Sequence, residues 1–295
     1  MRIDICLCTY RRPMVAETLR TIDAVDCPPH VTLRVIVIDN DETPSARDTV
    51  MAAARRMHLP VRYLHAPAGN ISIARNAGLD AATGDWVAFL DDDEIVPHGW
   101  LKAILARQRE TRADAVFGHS RALYDPDAPD WIIDRDYHSQ IRVPRGGRVL
   151  TGHTCNALLR WGAAPWTGQR FDLARGTTGG EDTEFFFRLG RMGARYAIAP
   201  DADVFETVAP ERLSFRWLWR RRLRIGHSYV SSAEGVVARL RLLAGAFAKA
   251  VYCHARAALA LPRRAERNFW ALRGALHLGV CAECLWVSPG RHYGR

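Results

Sequence analysis

Four consecutive carboxylates, Asp91-Asp92-Asp93-Glu94, directly follow the apolar run Trp86–Leu90. At close range they repel one another. A divalent cation held by one carboxylate together with substrate phosphates would relieve that repulsion, and Mg²⁺ and Mn²⁺ are commonly held in this way. A solvated acidic turn is the plainer alternative. The end of a buried strand is a more telling place than a loop, and this favours the metal. A second acidic step, Glu181-Asp182, follows Gly180 and precedes Phe185-Phe186-Phe187. Carboxylates at a helix start suit the helix dipole whatever else they do. Held at a pocket edge and aimed at a hydroxyl, such a carboxylate is also a general base. Arg220-Arg221-Arg222 with Arg224, behind Trp217 and Trp219, form a third group. Guanidinium forks match phosphate oxygens. A solvated helix face explains the same arginines. Nucleic-acid binding would too, but no recognition-helix, zinc-finger or RNA-binding signature accompanies them. Finally, "NISIARNAG" (70–78) puts Arg75 and Asn76 on a helix ahead of the acidic strand. A surface helix would present the same polar face.

The elements that must position these groups alternate. Strand patterns fall at Ile3–Cys8, Leu33–Asp39, Val61–Ala66 and Trp86–Leu90. Helix patterns fall at Pro13–Ala24, Pro44–Met57, Ile71–Ala82 (closed by Gly84) and Gly99–Arg112. Such spacing implies right-handed crossovers and a mostly parallel sheet flanked by helices. Ligands then bind beyond the carboxyl ends of the strands, where Thr9, Asp39 and Asp91–Asp93 all lie. Farther on, "AVFGHSRAL", "VLTGHTCNALLR" and "RYAIAP" read as strands, "WIIDRDY" and "PRGGR" as loop, and Thr183–Met192 as a helix.

The 295 residues can bury a substantial core, and 48% hydrophobic with 25% charged is ordinary for a globular chain. Charge is uneven. Residues 212–295 hold 16 Lys+Arg and 3 Asp+Glu, whereas residues 1–211 are net −4, so the overall +9 belongs to the C-terminal part. That suggests a polyanionic partner there. "VVARLRLLAGAFAKAVYCHARAALAL" reads as a basic amphipathic helix, able to lie on an anionic membrane surface or to pack on the catalytic domain. No run reaches about 18 apolar residues, so no transmembrane helix is expected. Seven cysteines, with only Cys281 and Cys284 at half a zinc spacing, point to a reducing compartment rather than a disulfide scaffold.

The segments "CLCTYRRP", "VIVIDND", "ARNAGLDAATGDWVAFLDDDE", "TGHTCNALLR" and "GGEDTEFFFRL" occur in this order over residues 3–230. Together they resemble family 2 glycosyltransferases of the GT-A fold, and particularly the bacterial exopolysaccharide glucosyltransferases of the succinoglycan type. The resemblance implies a catalytic domain over 1–230 and a basic helical extension over 231–295. It implies a nucleotide-sugar donor (a UDP-hexose, with UDP-glucose leading) contacted by Thr9, Tyr10, Arg12, Asp39, Asn40, Arg75, Asp91, Asp92, Arg221 and Arg224. Asp93, and Glu206 in place of the relatives' histidine, would bind Mg²⁺ or Mn²⁺. Asp182 would be the base, with Glu181 supporting the acceptor. Gly152, Asn156 and Trp166 would line the acceptor site. The acceptor would be a saccharide or polyprenyl-diphosphate-linked glycan at the cytoplasmic face of the membrane. Two other classes remain. A sugar nucleotidyltransferase would need a glycine-rich loop after the first strand, where Thr9–Pro13 has no glycine. A non-enzymatic basic membrane adaptor would not need the two acidic groups.

Overall fold

The computed structural model describes residues 1–285 apart from 142, 145–146, 231–232 and 234. Part of the "PRGGR" loop, the first residues of the C-terminal extension and its last ten therefore lie outside the described residues.

The first half follows the expected alternation. It runs β1 (Arg2–Thr9), α1 (Val15–Asp23), β2 (Thr32–Asp39), α2 (Arg47–Ala54), β3 (Val61–His65), α3 (Ile71–Ala81), β4 (Trp86–Asp91), β5 (Glu94–Ile95) and α4 (Trp100–Thr111). There follow β6 (Ala115–Phe117), β7 (Ser120–Leu123), α5 (Asp130–Ile133), β8 (Asn156–Arg160), α6 (Glu181–Arg191), β9 (Tyr196–Ile198) and β10 (Val204–Thr207). Three helices close the chain: α7 (Phe215–Tyr229), α8 (Gly235–Leu259) and α9 (Arg264–Cys284).

The main sheet has the order β3-β2-β1-β4-β8-β6-β9. All neighbours are parallel except β8, which runs antiparallel to both β4 and β6. Side chains alternate across it as the strand period demands. Ile3, Ile5 and Leu7 of β1 with Ala88 and Leu90 of β4 pack against α1, α2 and α4. Cys6, Val87 and Phe89 pack on the other face with α3 and α6. A small second sheet, β5-β10-β7, has no counterpart in the sequence reading. Its strands are two to four residues long, too short to show a period.

Four expectations change, the first being that "WIIDRDY", read as loop, opens with the helical turn α5 because Pro129 starts it and Trp131 and Ile132 are buried. "AVFGHSRAL" is not one strand but β6 and β7, which belong to different sheets. Only the end of "VLTGHTCNALLR" is strand, because residues 149–155 turn away to form a wall of the cleft described below. Gly84 does not close α3. The helix ends at Ala81, capped by an extended Ala82, and the Asp4 carboxylate then accepts from the amides of Thr83 and Gly84 at 2.7 and 2.8 Å.

Candidate active site

Parallel pairing sets the strand termini side by side. Thr9 pairs with Asp39, and Cys8 with Asp91. Over this edge opens a cleft of about 1010 Å³. Its walls include Thr9, Tyr10, Arg12, Asn40, Arg75, Asp91, Asp92 and Asp93 from the strand-end side, and Glu181, Asp182, Glu206, Arg221 and Arg224 from elsewhere. The acidic strand end and the glutamate–aspartate step therefore face one space.

The acidic run is short of positive charge. Asp93 is ion-paired with Arg12, and Arg212 reaches it at 3.8 Å. Arg12 also lies 3.7 Å from Asp92, whose second oxygen is buried without a hydrogen-bond partner. Burial pushes Asp91 up to about 6; Arg75 opposes this, while Glu206 and Asp92 add to it. Glu94, beside Asp91, is also raised, by burial first and then by the Asp91 charge. Glu206 sits opposite Glu94 across β10–β5 and is ion-paired with Arg212. Crowded, under-neutralised carboxylates with an orphaned oxygen fit a divalent cation better than a solvated turn does. No set of three or more His, Cys, Asp or Glu residues among the described residues encloses a metal by itself. An ion here would need phosphate oxygens to complete its shell, as Mg²⁺ commonly does.

Glu181 and Asp182 open α6 at Gly180, whose φ of +86° suits only glycine and where a Cβ would come within 2.3 Å of Ser228. The two carboxylates have different surroundings. Glu181 is 2% exposed and ion-paired with Arg75. Burial raises its carboxyl against the pull of Arg75. Arg75 itself is held above its ordinary value: Glu181, Asp182 and Asp91 outweigh its burial, and its guanidinium also lies 5.6 Å over the Phe171 ring. The pair is a post under the site more than a free ligand-binding fork. Asp182 faces the cleft. Its Oδ1 accepts from the Thr183 amide at 2.6 Å, and its Oδ2 lies 2.9 Å from Nδ1 of His153.

Four residues expected to touch ligands do not line the cleft. The Asp39 carboxylate is fully buried and engaged, accepting from the amides of Asp41 (3.1 Å) and Ala46 (2.8 Å) and from the Tyr63 hydroxyl (2.8 Å). It shapes the loop after β2 and leaves Asn40 on the wall, its amide donating to Ala66 O at 2.8 Å. Asn156 is 1% exposed. It accepts from Trp100 Nε1 at 2.9 Å and donates to His119 O and Ala202 O at 3.0 and 2.7 Å. Trp166 is buried, with Nε1 donating to Arg160 O at 2.8 Å. Gly152 is a close-approach point where a Cβ would fall 2.0 Å from the Phe117 ring. Wall residues that escaped the sequence reading include His153 and Arg212. His153 stands inside the quoted "TGHTCNALLR"; Arg212 carried no signal beyond its charge.

From α7, Arg221 and Arg224 reach the cleft. Arg221 stacks 5.3 Å from the Trp217 ring, and burial, with Arg222, Arg212 and Arg224 nearby, pulls it down to about 10 despite Glu206. Buried guanidiniums that crowd one another suit an anionic ligand.

Comparison with known proteins bears on the family and the fold. The model of the "Glycosyl transferase family 2" family matches residues 4–164, and that of "Glycosyl transferase family group 2" matches residues 86–282. The chain is 46% identical over 299 residues to the succinoglycan biosynthesis protein ExoM of Rhizobium meliloti, covering 100% of this chain and 96% of that protein. It is 41% identical over 179 residues to a pre-mycofactocin glycosyltransferase of Mycobacterium tuberculosis, but spans only 37% of that protein. Among solved structures it resembles a mannosyltransferase of Pyrobaculum calidifontis in complex with GDP-Man and Mn²⁺ (TM-score 0.64, 19% identity, 96% of this chain and 87% of that one). It also resembles S. aureus TarS, of which it spans 55% (TM-score 0.54, 17% identity, 96% of this chain). The architecture is that of the GT-A fold. On the strength of the matched family model and the full-length relative, the chain belongs to glycosyl transferase family 2.

Proposed function

We propose that the protein is an inverting, metal-dependent hexosyltransferase of surface-polysaccharide synthesis. Its donor would be a nucleotide diphosphate sugar, UDP-glucose first, and its acceptor a saccharide or polyprenyl-diphosphate-linked glycan. The observation that carries this reading is the shared cleft: Asp91–Asp93 on one wall, Asp182 on another, and guanidiniums between them. The succinoglycan relative suggests the pathway class, and the GDP-Man and Mn²⁺ of the fold neighbour suggest the donor class.

In this reading Thr9, Tyr10 and Asn40 border the nucleoside, and Asp91 and Asp92 the ribose and diphosphate. Asp93 holds the cation, with Glu206 as a second candidate. Bound there, Mg²⁺ or Mn²⁺ would offset the charge that develops on the leaving diphosphate. Arg12, Arg212, Arg221 and Arg224 stand ready to pair with the phosphates. Asp182 governs removal of the proton from the attacking hydroxyl. A single displacement turns an α-linked donor into a β-glycoside.

A thermal-shift screen of nucleotide sugars with Mn²⁺ tests the donor. A ligand at a hundredfold excess over Kd adds about 2.7 kcal/mol, which for a chain of this size raises the melting temperature by roughly 4 to 5 °C. UDP-glucose should give the largest shift, and EDTA should abolish it. If no nucleotide sugar shifts the transition, the reading fails.

The C-terminal helices bear on where this happens. We place the catalytic unit at 1–230 and a membrane-facing extension at 231–295. Helix α8 buries its small residues Ala246, Ala250, Cys253 and Ala257, half-buries Leu242 and Leu243, and exposes several other large ones. Val236, Leu240, Phe247 and Val251 are 73, 59, 63 and 53% exposed. Their spacing puts them along one side of the helix. Arg239, Arg241, Lys249 and Arg256 lie on the same helix. No helix among the described residues is long and apolar enough to cross a membrane. An apolar strip with basic neighbours suits the surface of an anionic bilayer at the inner face of the cell membrane. The protein should therefore sediment with vesicles containing anionic lipid, and Leu240→Glu with Phe247→Glu should keep it in the supernatant. Equal sedimentation with neutral vesicles would remove the electrostatic part.

A further inference from the structure

Charge divides the chain near residue 230, but packing crosses that line. Helix α7 turns Arg221, Arg224, Ile225 and Ser228 to the cleft. Their spacing puts all four on one side of the helix. Leu223 and Gly226 fall on the other side, where α9 lies against the backbone. A Cβ on Gly226 would stand 2.1 Å from Leu276 O, and one on Gly279 would stand 2.1 Å from Leu223 O. Each helix thus has a glycine where the backbone of the other comes closer than any side chain allows.

The crossing is fastened on both sides. Toward the start of α7, the buried Leu218 shares an apolar cluster with Leu272 of α9. Toward its end, Val230 shares another with Val280, Cys281 and Cys284, and Nδ1 of His227 lies 3.2 Å from a carboxylate oxygen of Glu283. In its turn α7 abuts the start of α6. A Cβ on Gly180 would fall 2.3 Å from Ser228 Oγ and 2.6 Å from its Cβ, and Ser228 Oγ itself donates to Arg224 O at 3.1 Å. One helix therefore carries cleft guanidiniums and backs the turn that leads into Glu181-Asp182. How deeply it sits is set from behind by α9.

We propose that Gly226 and Gly279 are positioning residues of the donor site: their crossing sets how far Arg221 and Arg224 reach toward the donor diphosphate. This rests on the transferase reading above. The last helix of the basic extension then serves the chemistry as well as the location of the protein. With alanine at 279, the two helices must part by roughly 1 Å before the new Cβ clears Leu223 O, and a misplacement of that size can cost about 10²-fold in an enzyme even when the change lies far from the reacting atoms. Either α7 is pushed into the cleft or it loses its backing. In both cases the guanidiniums leave their places, although neither glycine touches a ligand.

The test is calorimetry of UDP-glucose with Mn²⁺ on the full chain, in wild type, Gly279→Ala, Arg224→Ala and the double variant, with melting temperatures measured in parallel. Gly279→Ala should weaken donor binding by about 10- to 100-fold. The double variant should lose clearly less than the product of the two single losses, because both act through the same guanidinium. Gly274→Ala is the control for packing alone. It lies on the same helix, but its Cβ would meet the His254 ring of α8, 2.4 Å away, so it should lower the melting temperature and leave donor affinity as in wild type. If Gly279→Ala does not fold, Val280→Ala, which thins the same contact, takes its place with the same expectations. If the folded variant binds donor as wild type does, or if its loss multiplies in full with that of Arg224→Ala, the proposal is overturned while the transferase reading stands. If Gly274→Ala loses as much donor affinity as Gly279→Ala, the effect is one of general stability and the proposal is likewise overturned. If wild type binds neither UDP-glucose nor any other screened nucleotide sugar, the transferase reading falls and this proposal with it.

Discussion

Asp182→Asn should lower sugar transfer by between about 10² and 10⁴-fold while leaving nucleotide-sugar affinity unchanged. The substitution preserves shape and removes the charge. Both carboxylates at the start of α6 line the cleft, but Glu181 is committed to Arg75 and Asp182 is the more exposed of the two. No described contact links Asp182 to the acidic strand end, where the donor diphosphate is expected. Losing it should therefore appear in kcat and not in donor binding, the pattern of an interaction made only in the transition state. Calorimetry with UDP-glucose and a turnover assay on the same preparation separate the two. Full turnover by Asp182→Asn would remove this residue from the mechanism, and weakened donor binding with normal turnover would move it to the donor side.

Asp93→Ala should weaken Mn²⁺-dependent donor binding by at least about 10²-fold. Groups that merely orient metal ligands cost 10- to 100-fold in metal affinity when removed, so a ligand itself should cost no less. Asp93 has a second part in this structure, as the partner of Arg12 and Arg212. The experiment must tell the two parts apart, and the metal-free arm does so. If Asp93 only anchors guanidiniums, affinity changes equally with Mn²⁺ and with EDTA. If it holds the cation, the loss is confined to the Mn²⁺ arm. Unchanged affinity in both arms would shift the metal role to Asp91, Asp92 or Glu206. The last is the weaker candidate, because Arg212 is already paired with it.

Much of this molecule was legible in the chain itself. The apolar alternation of β1 and β4, the intervening helices and the placement of Thr9 and Asp91 at strand ends are local properties. Each depends on residues within one element, and a parallel sheet then brings its strand ends to one edge. The acidic run and the Glu181-Asp182 step could be found in this way, and the cleft does collect both. Spacing along the chain could not show which polar residues would be spent inside. Asp39 turns inward because the amides of its own loop must be paired, and Asn156 because the carbonyls of distant segments must be, and these two supply the partners. Arg75 is drawn to Glu181, 106 residues away, instead of to a base. His153 meets Asp182 only because Thr151, Gly152 and Asn156 bring a connecting segment against α6. The amphipathic pattern of α8 was visible too, but not its direction. Close approach of α9 selects the alanines and Cys253 for the inside and leaves Leu240 and Phe247 outside. A sequence records how side chains are spaced on their own element. Which of them meet is decided by packing between segments far apart in the chain, where pairing every buried polar group and filling every gap leaves few arrangements.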